Sequence, residues 1–293
     1  MTCSLKILVG YHKPAFLLED KSTFIPINLG RAVSLLPAKD GDISKDNETW
    51  LINNTIGDNT GENISSLNRT FCEMTGVYWA WKNLIELGTP DYIGFMQYRR
   101  HFILNDFFEN APCNEEKLAY KVVHFKNVNN VNYQHKIACS KSNFEALLID
   151  YDCILPMKSD LKAINVKGGI TSIWDDWVCR IPGVHVDDLI LLEDIFGQMH
   201  PDARESFSKY LESSKKLMYN MFITSKTIFN EYCSWIFPIL FRLNELLDTS
   251  CYSLNGKRTL GYLSEILYGY YFTSLENNNY FKIKHLGLSF IDD

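Results

Sequence analysis

Two adjacent arginines, Arg99 and Arg100, close an apolar run, Asp91-Tyr-Ile-Gly-Phe-Met-Gln97, with Tyr98 between. Guanidinium groups present fixed donors to phosphate oxygens, and the carboxyl ends of buried strands border the ligand crevices of open α/β sheets. The chemistry that suits such a pair is a departing diphosphate, whose charge grows as its bond breaks. Ordinary surface charge is the plainer reading of the same pair, because exposed Arg–carboxylate pairs are common. His12 and Lys13 follow a second apolar run, residues 5–11. They suit the base, ribose or phosphate of a nucleotide, or are simply solvated loop residues.

The carboxylates are the next candidates. Asp152, Asp175, Asp176, Asp187 and Asp188 have the oxygen chemistry of general bases or of ligands for Mg²⁺ or Mn²⁺, and equally that of helix caps. Glu265 stands in apolar text, Arg258-Thr-Leu-Gly-Tyr-Leu-Ser-Glu265. Burial there would raise its pKa towards the range of a base that takes a proton from a hydroxyl; a salt bridge to Arg258 is the alternative. Trp174 and Trp177 offer faces for stacking on a sugar ring, whereas the aromatic residues of the 78–81 segment and Trp235 are assigned to the core.

These residues need elements to position them. Residues 5–11 read as a buried first strand, ended by His12-Lys13-Pro14. From about Phe24 to Gly61, Pro26, Gly30, Pro37, Gly41 and Gly57 interrupt every pattern, which predicts long loops with short strands. Ser65 or Ser66 is expected to cap a helix running through Phe71 to Ile85, and Asp91–Gln97 is the next buried strand. Further on, helical spacing covers 141–148, a short strand 151–156, and an amphipathic helix from Leu189 to about Met199, capped from the segment His185-Val-Asp187-Asp188. Trp174 to Trp177 follow a turn at Gly168-Gly169. Leu217–Ile223 reads as a core strand, Ser225 as the cap of a long helix to Leu247 kinked at Pro238, and 260–272 as a last helix.

The 293 residues are 46% hydrophobic, enough for a large buried core. The formal net charge of −6 and the lack of a basic run exclude the footprint of a nucleic-acid binder. Eight cysteines occur singly, without a C-x-x-C pair, as expected of a reducing compartment. The N-terminus is too short in apolar residues for a signal peptide, and no stretch reaches bilayer length, so a cytoplasmic protein is expected, in at most peripheral contact with the inner face of the membrane. The segment Trp235–Phe241 is expected to be buried rather than membrane-docked.

The ordered blocks Tyr11-His12-Lys13, Asn63-Ile-Ser65 with Asn68, Cys72-Glu73-Met-Thr75, Tyr78-Trp79-Ala-Trp81-Lys82-Asn83, Asp91-Tyr-Ile-Gly, Tyr98-Arg99-Arg100, Tyr219-Asn220-Met221-Phe222-Ile223, Tyr232-Cys-Ser-Trp235-Ile-Phe237, and Arg258 with Gly261-Tyr262 and Ser264-Glu265 carry a resemblance over nearly the whole chain. They resemble a bacterial family of capsular-polysaccharide and lipopolysaccharide glycosyltransferases, formerly a domain of unknown function, with galactofuranosyltransferase-like members. The family pattern has His before Tyr-Arg-Arg, where this chain has Gln97; an amide neither binds metal nor takes protons well, but it can hydrogen-bond a donor.

The resemblance implies an α/β fold, a single GT-A-like (Rossmann-like) domain over 1–293 with a mixed central sheet flanked by helices. Its donor-binding part would cover about 1–155 and its acceptor and catalytic part about 156–293. It implies a nucleotide-sugar donor, UDP-linked, held by His12, Lys13, Asn68, Gln97, Tyr98, Arg99, Arg100, Asn220 and Arg258. Glu265, Asp175 or Asp176 would be the base, and Trp174 and Trp177 would meet a lipid-linked or lipopolysaccharide acceptor. No metal ligand is assigned: Mn²⁺ or Mg²⁺ use is open, but an Asp-x-Asp triplet is lacking at the strand end. A non-catalytic nucleotide-sugar or glycan-binding module is the alternative, and a nucleotidyltransferase is disfavoured because Gly10-Tyr-His-Lys-Pro is no Gly-rich phosphate loop.

Overall fold

The computed structural model describes residues 4–36, 43–126, 128, 130–164, 169–278 and 280–292; Cys3, Pro37, Gly41 and Gly168 of the expectations above lie outside these. The strands are β1 (Leu5–Tyr11), β2 (Phe24–Asn28), β3 (Ile56–Gly57), β4 (Tyr92–Gln97), β5 (Arg100–Phe102), β6 (Val122–Phe125), β7 (Cys153–Pro156), β8 (Ser159–Asp160), β9 (Lys215–Lys216), β10 (Phe222–Ser225), β11 (Ile283–Leu286) and β12 (Leu288–Ile291). Seven of them line up as β11-β7-β10-β4-β1-β2-β3, and β5, β12 and β6 branch from β4. The sheet is mixed. β4, β1, β2 and β3 run parallel, whereas β10 is antiparallel to both β4 and β7.

Alternation along the strands feeds two cores. Leu5, Ile7, Val9 and Tyr11 of β1 face one, together with Phe24 and Ile223. Leu8, Ile93, Phe95 and Phe222 face the other, against the helices Met74–Lys82, Val186–Met199, Lys226–Leu246 and Thr259–Asn277. Ile236, Phe237, Ile239 and Leu240 are buried there, so the apolar segment expected to pack inside does so. Ser225 caps the Lys226–Leu246 helix as expected, its hydroxyl accepting from the Ile228 amide. No helix among the described residues is long and apolar enough to cross a membrane.

Four expectations are corrected. A helix, Lys45–Asn54, with Ser44 as its cap, forms inside the stretch expected to be loops and short strands. The helix expected through Phe71 to Ile85 is two helices, Asn68–Phe71 and Met74–Lys82, because Cys72 adopts φ 50° and ψ −129°. Ser65 does not cap it; its hydroxyl bonds Asp58. The helix expected from Leu189 starts at Val186, with His185 of the expected capping segment as its N-cap; Asp187 and Asp188 lie in its first turn, and Asp188 accepts the hydroxyls of Tyr252 and Thr259.

Candidate active site

The register brings four strand ends into one row. Gln97 lies opposite Gly10, Tyr11 opposite Asn28, and Asn28 opposite Gly57, so the loops after β1, β2, β3 and β4 leave the same edge of the sheet. This is the edge at which open parallel sheets bind ligands. Asp58, fully buried just after β3, ties its floor: it accepts the Gly30 and Arg31 amides at 2.7 and 3.0 Å and the Thr75 hydroxyl at 2.7 Å, besides the Ser65 hydroxyl at 2.5 Å. Gly30, at φ 69°, must be glycine here, since a Cβ would stand 2.4 Å from the Asn68 side chain. Asn68 itself works inside the fold, donating to the Cys72 carbonyl at 2.8 Å and to the Thr75 hydroxyl at 3.1 Å across the helix break.

Tyr98 gathers the ends of β1 and β4. The His12 ring meets it edge-on at 5.0 Å, Lys13 Nζ lies 5.8 Å and Arg99 Cζ 5.5 Å from its centroid. Arg100 is placed more tightly. Its Nη1 donates to Gln97 Oε1 at 2.5 Å, and its guanidinium lies 4.7 Å from the Tyr219 ring and 4.6 Å from that of Phe290 on β12. Gln97 uses the other end of its amide to donate to the Tyr219 carbonyl at 2.8 Å. Burial lowers the Arg100 pKa, the Arg99 charge acting in the same direction, while Tyr219, Glu265 and Glu73 oppose it.

Tyr219 and Asn220 are not strand, as expected, but consecutive residues at φ 78° and 49°, and β10 starts only at Phe222. Side chains on both sides hold this uncommon pair. Glu265 Oε2 accepts the Tyr219 amide at 2.6 Å, and the Asn220 Nδ2 donates to Glu73 Oε1 at 2.9 Å and to the Ser264 hydroxyl at 3.2 Å. Glu265 pairs with Lys216, Nζ to Oε1 3.2 Å, and not with Arg258. Arg258 instead donates from Nε to Cys72 Sγ at 3.3 Å.

Lys216 is buried and also pairs with Asp176, at 3.0 Å, which Arg180 holds from the other side. Burial alone would raise the Asp176 carboxyl; Lys216 and Arg180 outweigh it and hold the pKa at about 2. A fully enclosed carboxylate so held is a structural anion, which corrects its placing as a base. Asp175 closes the first turn of its own helix, Ile173–Arg180, accepting the Thr171 hydroxyl at 2.6 Å and amide at 3.0 Å. Trp177 is corrected as well: its ring is 1% exposed and its indole N–H donates to the His185 carbonyl, so no face is open to a sugar. Trp174 is half-buried against the same core.

The structure thus joins Gln97, Arg100, Asn220, Glu265 and, through Lys216, Asp176 in one network, with His12, Lys13 and Arg99 around Tyr98 beside it. Glu73, Lys216, Tyr219 and Phe290 complete it and were not singled out as site residues by sequence. Glu73 and Tyr219 stood in the blocks that carry the family resemblance, without a role, whereas nothing in the sequence pointed to Lys216 or Phe290. Among the described residues no group of three or more His, Cys, Asp and Glu side chains could hold a metal ion.

No curated protein matches the sequence. The apo structure of WbbM, a bifunctional glycosyltransferase, is similar over 99% of this chain, with a TM-score of 0.80 and 27% identity. The chain spans about half, 46%, of the WbbM chain. With the mixed sheet flanked by helices, this similarity gives the protein an α/β, GT-A-like fold. Residues 6–278 match the family described as a domain of unknown function, DUF4422, and the chain belongs to that family.

Proposed function

We propose that the protein is a glycosyltransferase that passes a hexose, galactofuranose being the first candidate, from a UDP-sugar to a hydroxyl of a growing surface polysaccharide. The observation that carries this reading is the seating of Arg100: a largely enclosed guanidinium aimed by Gln97 and two aromatic rings, at the strand edge where a nucleotide would lie. A preorganised cation costs no reorganisation as charge develops on a leaving diphosphate. Arg99, Lys13 and His12 would extend the cradle, and Asn220, whose enclosed Oδ1 has no partner among the described residues, would accept a sugar hydroxyl. Arg258 and Asn68 would act through the Cys72 break that they hold.

Residues 1–155 would form most of the donor side and 156–293 the acceptor side, with Trp174 the remaining aromatic candidate for the acceptor. A lipid-linked or lipopolysaccharide acceptor would place the enzyme at the cytoplasmic face of the membrane. In this setting Gln97 does what a neutral imidazole could also do, accepting from Arg100 and donating to Tyr219 at once. One observation favours the rival reading, a non-catalytic binding module: Glu265, Asp175 and Asp176 are all engaged within the fold.

A thermal-shift screen against uridine, guanosine, cytidine and thymidine diphosphates and their sugars tests the proposal. A rise confined to one nucleotide and lost in Arg100→Ala is expected. No rise with any of them would sink the transferase reading, and binding without turnover would favour the module.

A further inference from the structure

We propose that Glu73 is the base that takes the proton from the acceptor hydroxyl; this rests on the transferase reading above. The carboxylates around the Tyr219-Asn220 pair are not equivalent. Glu265 has both oxygens engaged, Oε1 by Lys216 and Oε2 by the Tyr219 amide. That carboxylate is thus occupied in tying Lys216 to the Tyr219 backbone. Asp176 is enclosed between two cations, and Asp175 is turned onto Thr171.

Glu73 differs on each count. It stands at the N-cap position of Met74–Lys82, and only neutral groups hydrogen-bond its carboxylate: the Asn220 amide, which donates to Oε1, and its own backbone N–H. The charged and titratable groups that act on it or feel it are Arg258, Tyr262 and Glu265 from the C-terminal helix and its approach, Arg100 after β4, and Tyr232 on the long helix. Burial, with Glu265 adding to it, raises the Glu73 carboxyl above its ordinary value despite Asn220 and Arg258. That direction is the one a base working near neutral pH requires.

The step balances as a single displacement. The acceptor O–H proton passes to Glu73 Oε2, and the acceptor oxygen bonds the anomeric carbon. The bond from that carbon to the diphosphate oxygen breaks, its electron pair leaving on the nucleoside diphosphate opposite Arg99 and Arg100. The configuration at the anomeric carbon inverts. Asn220 serves both halves, its Nδ2 orienting the base while its Oδ1 is left for the sugar.

The test uses the nucleotide sugar that gives the largest thermal shift, with water as acceptor, following release of nucleoside diphosphate between pH 5 and 9. Glu73→Gln keeps an oxygen to accept from Asn220, so its melting temperature and its affinity for the nucleoside diphosphate should match wild type. Its hydrolysis rate should fall about 100-fold or more, and the rising acid limb of the pH profile should disappear. Glu73→Asp, which keeps a carboxylate at shorter reach, should retain that limb at reduced rate. Wild-type rate and pH profile in Glu73→Gln would overturn the assignment while leaving the transferase reading intact. Loss of nucleotide affinity in Glu73→Gln would also overturn it, by showing a role in shaping the site. Failure of the wild-type protein to bind any nucleotide sugar would overturn both.

Discussion

Lys216 Nζ lies 3.2 Å from Glu265 Oε1 and 3.0 Å from Asp176 Oδ2, so one buried ammonium links the helix that carries Glu265 to the helix that carries Asp176. Burial works to lower the Lys216 pKa, but the two carboxylates outweigh it and the net shift is upward. Removing the cation leaves Asp176 with Arg180 alone and Glu265 with only the Tyr219 amide, two carboxylates facing the gap where an ammonium stood. Lys216→Met is expected to destabilise the protein by about 3–5 kcal/mol in urea unfolding. The double variant with Asp176→Asn should lose less than the sum of the two single changes, because the sites share one interaction.

Arg100 is held by shape as well as by charge. Arg100→Lys keeps the charge but loses the planar fork and the stacking on Tyr219 and Phe290. Calorimetric titration should show about 10–100-fold weaker binding of the preferred nucleoside diphosphate, the worth of one charged hydrogen bond. An unchanged affinity would show that Arg100 meets no phosphate.

Asn220 combines a positive φ of 49° with two side-chain hydrogen bonds. Asn220→Gly removes the bonds but suits the backbone; Asn220→Ala removes them and adds strain of about 1 kcal/mol. Melting temperatures should therefore fall in the order wild type, Gly, Ala. A Gly variant less stable than Ala would mean that the turn is not under strain.

His101, fully enclosed, binds the Tyr133 hydroxyl through Nδ1 and has no partner on Nε2 among the described residues. Burial pushes its pKa down to about 3, from 6.5. The native state thus excludes a proton that the unfolded chain takes up, and stability falls as pH drops from 6.5 towards 3, by at most about 1.4 kcal/mol per pH unit. In His101→Phe, where Tyr133 keeps its bond to Ser289, urea midpoints measured across that window should lose this part of their slope.

Local patterns were legible where local forces decide. The buried runs at 5–11 and 91–97 become β1 and β4, and Ser225 caps its helix, because apolar periodicity and capping act within a few residues. The arginine pair was legible for the same reason, as charge placed at a strand end. Asp58, Glu73 and Lys216 were not, since their roles depend on partners such as Gly30, Asn220 and Glu265, 28, 147 and 49 positions away. The break at Cys72 was hidden too, because its φ of 50° is sustained by contacts from Asn68 and Arg258, not by a glycine. Trp177 shows the converse error: its ring was expected to offer a stacking face to a sugar, and tertiary packing closed it.

The pairing of β12 with β5 joins residues 190 positions apart in the chain, Phe290 opposite Arg100. Contacts of such sequence separation close late in folding, because loop entropy must be met before they are made. Until they close, Arg100 lacks one of the two rings that aim it. Partly folded chains would carry the arginine pair without its geometry, so activity should appear in refolding only with the slowest phase, well after the secondary structure has formed.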